Sequence, residues 1–468
     1  MDKPRLDAEQ VREEVLGAKL GDERLSQRLV EVSTALARKP DQSFPKAMEG
    51  EAQLEAAYRL LSNPKVSAER LLRPHVERTC ERARQCKRVL VVFDTTEVRV
   101  GGEREELGFL SHEKGRGFYA HVGLVVDADT RDPQGVLHCE NTFRRGKPKR
   151  RKQGKGAADS EAWRWHQGVE RARELLPEAI CVMDREADMY SLVQQMQQAE
   201  QSFVVRAAHN RVTDEGKLWD LLDELSTIST RNVSVSERRY DRRRDGKRKT
   251  HAEHSAHTAV LHVRARAVRL RNPQVSSAPS ADRRTDGWVE ANLVHVIEPS
   301  PPQGDEPVEW LLLTNLPITT AAEVDFVVTA YRCRWLIEEF FKVLKTNCAL
   351  EKRQMETEQT MSNVLALSLP IAWLLLRLRE HSRQTPDQPA SGLLPETMML
   401  CLRLLYATRR KRELPEHPTC RDLTWAIAAL GGHIRNNGEP GTIVLARGMA
   451  DLLAAVQVVD ALKREGKM

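Results

Sequence analysis

The sequence predicts an α/β protein flanked by helical segments, and three observations carry that expectation. Helical patterning runs from the start to about Lys87, apolar strand-like runs alternate with helical stretches through the middle, and helical patterning returns after Pro370.

In chain order, EQVREEVLGAKLG, DERLSQRLVEVSTALAR and EAQLEAAYRLLSNP read as helices, with Gly21 and Asp22 at a boundary and Asn63-Pro64 closing the third. RVLVVFDTTEVRV, GFYAHVGLVVDADT and GVLHCENTFRR then read as three strands of a meander, the last two joined by a turn through Asp132 and Pro133. A basic loop and a helix from Asp159 to Leu176 lead to a fourth strand in AICVMD, and SFVVRAA supplies a fifth. Between about 207 and 307 the pieces VSVSERRY, TAVLHVRARAVRL and WVEANLVHVI, set among Pro, Ser and charged residues, predict an inserted β-rich subdomain. EWLLLTNLPI returns to strand texture. After Pro370, AWLLLRLRE, ETMMLCLRLLYATRR and MADLLAAVQVVDALK read as amphipathic helices for the core or a second subunit. The expected division is therefore a helical domain at 1–87, an α/β core at 88–370 carrying the insertion, and a helical domain at 371–468.

Composition narrows the class. An apolar content of 40% and a charged content of 30% fit a globular protein, and MDKPRLDAEQ lacks the apolar stretch of a signal peptide. The longest apolar run, Val364 to Leu376, is interrupted by Ser368 and Pro370 and falls short of the roughly 20 residues of a membrane span, so no crossing is expected. The eight cysteines are scattered without a CxxC pair, which predicts neither a zinc site nor a disulfide framework and places the chain in a reducing cytoplasm. A net charge of +6 is modest, but basic residues crowd into Arg144–Lys155, Arg238–Lys249 and Arg409–Arg412, which raises the expectation of a nucleic-acid partner over that of solvated loops.

Chemistry concentrates in YRCRWLIEEFFKVLK, Tyr331 to Lys345. Ile337, Phe340, Phe341 and Leu344 form a helical stripe facing a core. At about 100° per residue, Tyr331, Arg334, Glu338 and Lys345 fall within about 60° of one another beside that stripe, while Glu339 points elsewhere. The plainer alternative is a solvated face with an Arg334–Glu338 pair. Asp94 follows the buried-strand run Val89–Phe93, and Asp184 follows Ala179–Met183 within DREAD; a charge there must be paired, hydrogen-bonded or bound to metal, although a cap or turn is the ordinary explanation. Glu186 and Asp188 lie past the strand end and are poorer candidates. Together, Asp94, Asp184 and Glu338 form an all-oxygen donor set suited to hard divalent cations. Two such ions, about 3.5 to 4 Å apart, serve in-line phosphoryl displacement, with Arg334 and Lys345 holding the phosphodiester.

The spacing Y-x2-R-x3-E-x6-K, with DREAD after one strand and FDTT at Asp94, resembles the bacterial cut-and-paste DDE transposases of the insertion sequence four family. LGDERLSQRLVEV and AAYRLLSNPKVSAE are similar to that family's end-recognition domain, and FVVRAAHNR and EWLLLTNLP to its core. The resemblance implies a ribonuclease-H-like catalytic core in which Asp94, Asp184 and Glu338 bind two Mg²⁺ ions, with Mn²⁺ able to substitute. It implies double-stranded DNA partners, transposon inverted-repeat ends and target, held by a homodimer whose C-terminal helices dimerise. Strand nicking would be followed by a hairpin and by joining of 3′-hydroxyl ends to target DNA. Tyr331, Arg334 and Lys345 would bind DNA, Trp310 would receive a flipped base, Arg206 and His121 would contact DNA near the site, and Arg28 would touch the transposon end. The chain departs from the family pattern in a short Asp94–Arg116 segment, a very basic Arg144–Lys155 loop, and a loose match beyond LGGH at Leu430–His433. Two other readings are a catalytically silent DNA-binding relative that inhibits transposition and a metal-dependent nuclease that cuts without joining.

Overall fold

A computed structural model describes residues 8–101, 104, 106–111, 115–145, 162–235, 255–273, 287–353, 355–434 and 438–466. Residues 146–155 and 238–249, most of two basic runs, lie outside the described residues. In chain order come α1 (Ala8–Val15), α2 (Glu23–Arg38), α3 (Phe44–Ala47), α4 (Glu51–Ser62), α5 (Ala68–Ala83), β1 (Val89–Val100), β2 (Gly108–Phe109), β3 (Arg116–Asp127) and β4 (Pro133–Thr142). Next are α6 (Trp163–Leu175), β5 (Ile180–Met183), α7 (Tyr190–Gln198), β6 (Phe203–Arg206), β7 (Val212–Thr213), β8 (Gly216–Lys217), β9 (Ser229–Val235), β10 (His257–Arg271), β11 (Trp288–Ile297) and β12 (Glu309–Thr314). The chain closes with α8 (Ala321–Cys333), α9 (Trp335–Thr346), α10 (Glu358–Gln384), α11 (Glu396–Arg410), α12 (Cys420–Leu430) and α13 (Thr442–Arg464). It divides into two compact units, Met1–Val89 with Asp94–Arg164 and Trp335–Met468, and Leu90–Phe93 with Trp165–Arg334.

In the first unit, local chemistry sets the helix starts. The Asp22 side chain accepts from the Arg24 N–H at 2.8 Å and caps α2. A helix missed by sequence, α5, begins at Ser67 and contains Pro74 in its interior. It packs on β4, where Gly135 has φ +146°; a Cβ there would come within 1.9 Å of the Thr79 hydroxyl. β3 is buried along nearly its whole length, lies between β1 and β4, and so makes the expected meander. The core helix is α10. Pro370 was expected to interrupt it, but the 27-residue helix runs straight through, because neighbouring side chains and backbone groups enclose it. Trp373 donates to the Pro133 carbonyl at 2.8 Å and Asn363 to the Leu61 carbonyl at 2.9 Å. Its length and apolarity would suffice to cross a membrane, contrary to the sequence expectation, yet its apolar window is 94% buried within the protein. The expected boundary at 370 falls inside this helix.

The second unit is a mixed sheet. Leu90–Val92 of β1 pair in parallel with Ile180–Val182 of β5, and β5 pairs in parallel with β6. From there pairing is antiparallel through β12, β11 and β10, with β9 and β7 also on β10 and β8 on β7. The β-rich stretch after residue 207 is therefore not set apart: β11 bonds to β12, which bonds to β6, and the sheet is extended rather than interrupted. The parallel strands read as unbroken apolar runs because they are covered on both faces. None of the eight cysteines, all among the described residues, forms a disulfide.

A buried ionic knot ties α1 to α5 in the first unit. Glu14, 4% exposed, accepts from Arg82 at 2.6 Å and meets His75 Nδ1 at 2.5 Å, while His75 Nε2 accepts from the Val136 N–H. The Val136 bond puts the imidazole hydrogen on Nδ1, aimed at Glu14. Burial alone would raise the Glu14 pKa, but His75 and Arg82 bring it down to about 2, and burial depresses that of His75. A lowered folded-state pKa means the unfolded chain takes up more protons, so both groups stabilise the fold above their unfolded pKa and lose that contribution as pH falls. Glu14→Gln should cost roughly 3 kcal/mol at neutral pH and flatten the loss of stability between pH 4.5 and 2; urea unfolding of both proteins across that range is the check.

Candidate active site

Asp94 lies in β1, directly after the buried residues Val91–Phe93, and is half-buried. Its Oδ1 accepts from the Thr95 N–H at 2.7 Å. The Thr95 hydroxyl stands 3.0 Å from His121 Nδ1 on β3 and 3.0 Å from Arg164 Nε on α6. His121 is 1% exposed, and burial, reinforced by His138 and Arg164, holds its pKa well below the usual imidazole range. Named from the sequence as a DNA contact near the site, it lies in a strand buried along this stretch, with its Nδ1 at Thr95.

Glu338 occupies the first turn of α9 and is half-buried. The single helix expected over Tyr331–Lys345 is divided: α8 ends at Cys333, α9 begins at Trp335, and Arg334 joins them with α-region backbone angles. Glu339, as expected, points elsewhere. It accepts from Arg379 of α10 at 2.6 Å and from Lys342 at 2.9 Å; burial opposes ionisation, but the two cations bring its pKa to about 2. Lys345 lies 3.7 Å from Glu351, and Arg28 is half-buried on α2.

In the second unit, Asp184 follows β5 and caps the short 3₁₀ turn Arg185–Ala187, accepting from the Glu186 N–H at 2.9 Å. Asp188 of the same pentapeptide is buried and committed to the fold. It accepts from the N–H groups of Ala208 and His209 at 2.6 and 3.0 Å and pairs with Arg211 at 2.5 Å. Arg206, opposite Leu312 in the sheet, donates to the Glu309 carbonyl at 3.0 Å. Burial lowers its pKa, Tyr331 opposes that, and the neighbouring charges of Arg185 and Arg334 add to it. The Trp310 ring lies 5.8 Å from that of Tyr331, and the Arg334 guanidinium lies 5.9 Å from the same ring. Four residues named from the sequence, Arg206, Trp310, Tyr331 and Arg334, are thus gathered in this unit, with Arg185 as an addition. Arg185 was legible only as part of DREAD; Arg164 left no sequence signal, since its partner is 69 residues away.

Among the described residues, no three His, Cys, Asp or Glu side chains are grouped so that they could hold a metal ion, and Asp94, Asp184 and Glu338 are not gathered into one such group. The donor chemistry nonetheless suits a hard cation: Asp94, Asp184 and Glu338 are half-buried carboxylates.

Asp94 stands inside β1 rather than, as the sequence suggested, at its end, and the arginine–aromatic cluster of the second unit suits a polyanion. The family is narrower. Residues 85–374, more than half of the chain, match the Transposase DDE domain family, and the chain belongs to it; residues 7–66 match the Transposase DNA-binding family. DNA binding and DNA transposition are the activities those domains serve, and DDE domains work with divalent metal ions. Among solved structures, the cryo-EM synaptic complex of piggyBac transposase with hairpin DNA is similar at 8% identity and a TM-score of 0.35, over 81% of this chain and 76% of that one.

The two neighbouring glutamates should separate in experiment. Glu339→Ala leaves Arg379, 6% exposed at its side chain, with Glu380 at 3.5 Å as a poorer partner, and should cost about 3 kcal/mol of stability. Glu338→Ala should cost at most about 1 kcal/mol in the same urea titration.

Proposed function

We propose that this protein is a cut-and-paste DNA transposase of the insertion sequence four family, with a ribonuclease-H-like core in which Asp94, Asp184 and Glu338 hold two Mg²⁺ ions, or Mn²⁺ in their place. One observation carries the reading. Val92 and Val182 are registered neighbours on parallel strands, and each aspartate stands two residues further along its own chain, inside the stretch that matches the DDE domain. β5 ends one residue before Asp184 while β1 runs on past Asp94 to Val100, and the region beyond the carboxyl ends of parallel strands is where α/β proteins place their chemistry.

Bound ions would polarise the scissile phosphate and stabilise its leaving oxygen. The chain's own side chains do the rest. Arg206, Arg334 and Lys345 grip phosphate oxygens as charged donors, and Tyr331 adds a hydroxyl beside them. Trp310, half-buried against Tyr331, receives a base turned out of the duplex, which offsets part of the distortion of a terminal hairpin. Nicking frees a 3′-hydroxyl, its attack on the opposite strand closes the hairpin, and reopening precedes joining to target DNA. Residues 1–87, with Arg28, recognise the inverted-repeat end; the stretch matching the DDE domain carries the chemistry; the helices after α10 pair two copies into the homodimer that holds both ends. The protein acts in the cytoplasm, at the nucleoid when bound to DNA.

The test uses a duplex carrying the inverted repeat that flanks the coding region, with Mg²⁺. Asp94→Ala, Asp184→Ala and Glu338→Ala should each slow end cleavage roughly 10³-fold while leaving duplex binding intact in gel shifts. Cleavage at the unmutated rate by any of the three removes that residue from the site. Cleavage without strand-transfer products from a pre-cut end favours a nuclease, and binding without cleavage by the unmutated chain favours a silent relative.

A further inference from the structure

Thr95 sits where three elements meet. Its backbone N–H, on β1, holds Asp94 Oδ1 at 2.7 Å, and its hydroxyl is held at 3.0 Å by both His121 of β3 and Arg164 of α6. A guanidinium can only donate, so the hydroxyl oxygen accepts from Arg164 Nε. The same oxygen keeps a second lone pair and its own hydrogen, so the 3.0 Å contact with His121 Nδ1 is a hydrogen bond in either imidazole tautomer. The Thr95 hydroxyl oxygen is thus tied from two sides, and both tethers are themselves buried: His121 at 1% and Arg164 at 8% exposure. Packing alone has no use for the hydroxyl, because valine has the same shape.

We propose that Thr95, braced by His121 and Arg164, is a positioning residue that locks the Asp94 carboxylate into one orientation toward a divalent ion. The inference rests on the reading that Asp94 is an ion ligand. Groups that orient a ligand in this way govern metal affinity more than fold stability. Substrate DNA need not touch Thr95, His121 or Arg164 for them to matter.

The experiment compares the full-length chain with Thr95→Val, Thr95→Ser and Asp94→Ala. Two quantities are read: the Mn²⁺ concentration giving half-maximal cleavage of the inverted-repeat duplex, and the Mn²⁺ affinity by calorimetric titration of the chain on that duplex. Thr95→Val should raise the first and weaken the second by about tenfold. Thr95→Ser, which restores the hydroxyl, should stay within about threefold of the parent on both. Should Thr95→Val fail to fold, Arg164→Met removes one tether and should shift both readouts the same way. Unchanged Mn²⁺ dependence in Thr95→Val, or equal impairment in Thr95→Ser, overturns the proposal. Asp94→Ala separates the two levels. If it loses Mn²⁺ while Thr95→Val does not, only the brace is wrong; if it binds Mn²⁺ as the parent does, Asp94 is no ligand and the proposed function fails with it.

Discussion

A carboxylate beside a buried apolar strand stays ionised only if donors or cations are supplied to it, and much of this protein's architecture supplies them. Glu14 is held by His75 and Arg82, Asp188 by Arg211 and two backbone N–H groups, and Glu339 by Arg379 and Lys342. These acids are spent on cohesion. Asp94 and Asp184 each follow an apolar run, are half-buried, and place an Oδ1 on a backbone N–H.

Much of this was readable from residue order. The apolar runs before Asp94 and Asp184 could hardly be anything but covered strands, and their pairing follows from that. The divergence of Glu338 and Glu339 followed from helical periodicity and survives the break at Arg334, because Arg334 keeps α-region backbone angles. What periodicity could not give was the behaviour of proline and of distant partners. Pro74 and Pro370 lie inside helices because tertiary burial outweighs the local cost of a missing N–H. Arg164 and His121 reach Thr95 across 69 and 26 residues, distances at which sequence carries no local signal. The burial of His121 was hidden for a related reason: an imidazole in a strand shows its enclosure only once its neighbours are known.

The arginine–aromatic cluster of Arg185, Arg206, Trp310, Tyr331 and Arg334 is the electrostatic counterpart of the acidic positions. Burial first, and then the like charges of Arg185 and Arg334, lower the Arg206 pKa, and like-charge crowding is relieved by an anion. A phosphodiester backbone offers one at each nucleotide. An arginine cluster able to donate to an anion is in keeping with membership of the DDE transposase family.

The most direct measurement is the anomalous scattering of Mn²⁺ in crystals of the protein bound to its inverted-repeat duplex. The account predicts manganese peaks liganded by Asp94, Asp184 and Glu338 beside the scissile phosphate. Manganese bound at that phosphate through other side chains, with any of these three carboxylates turned away, would contradict it.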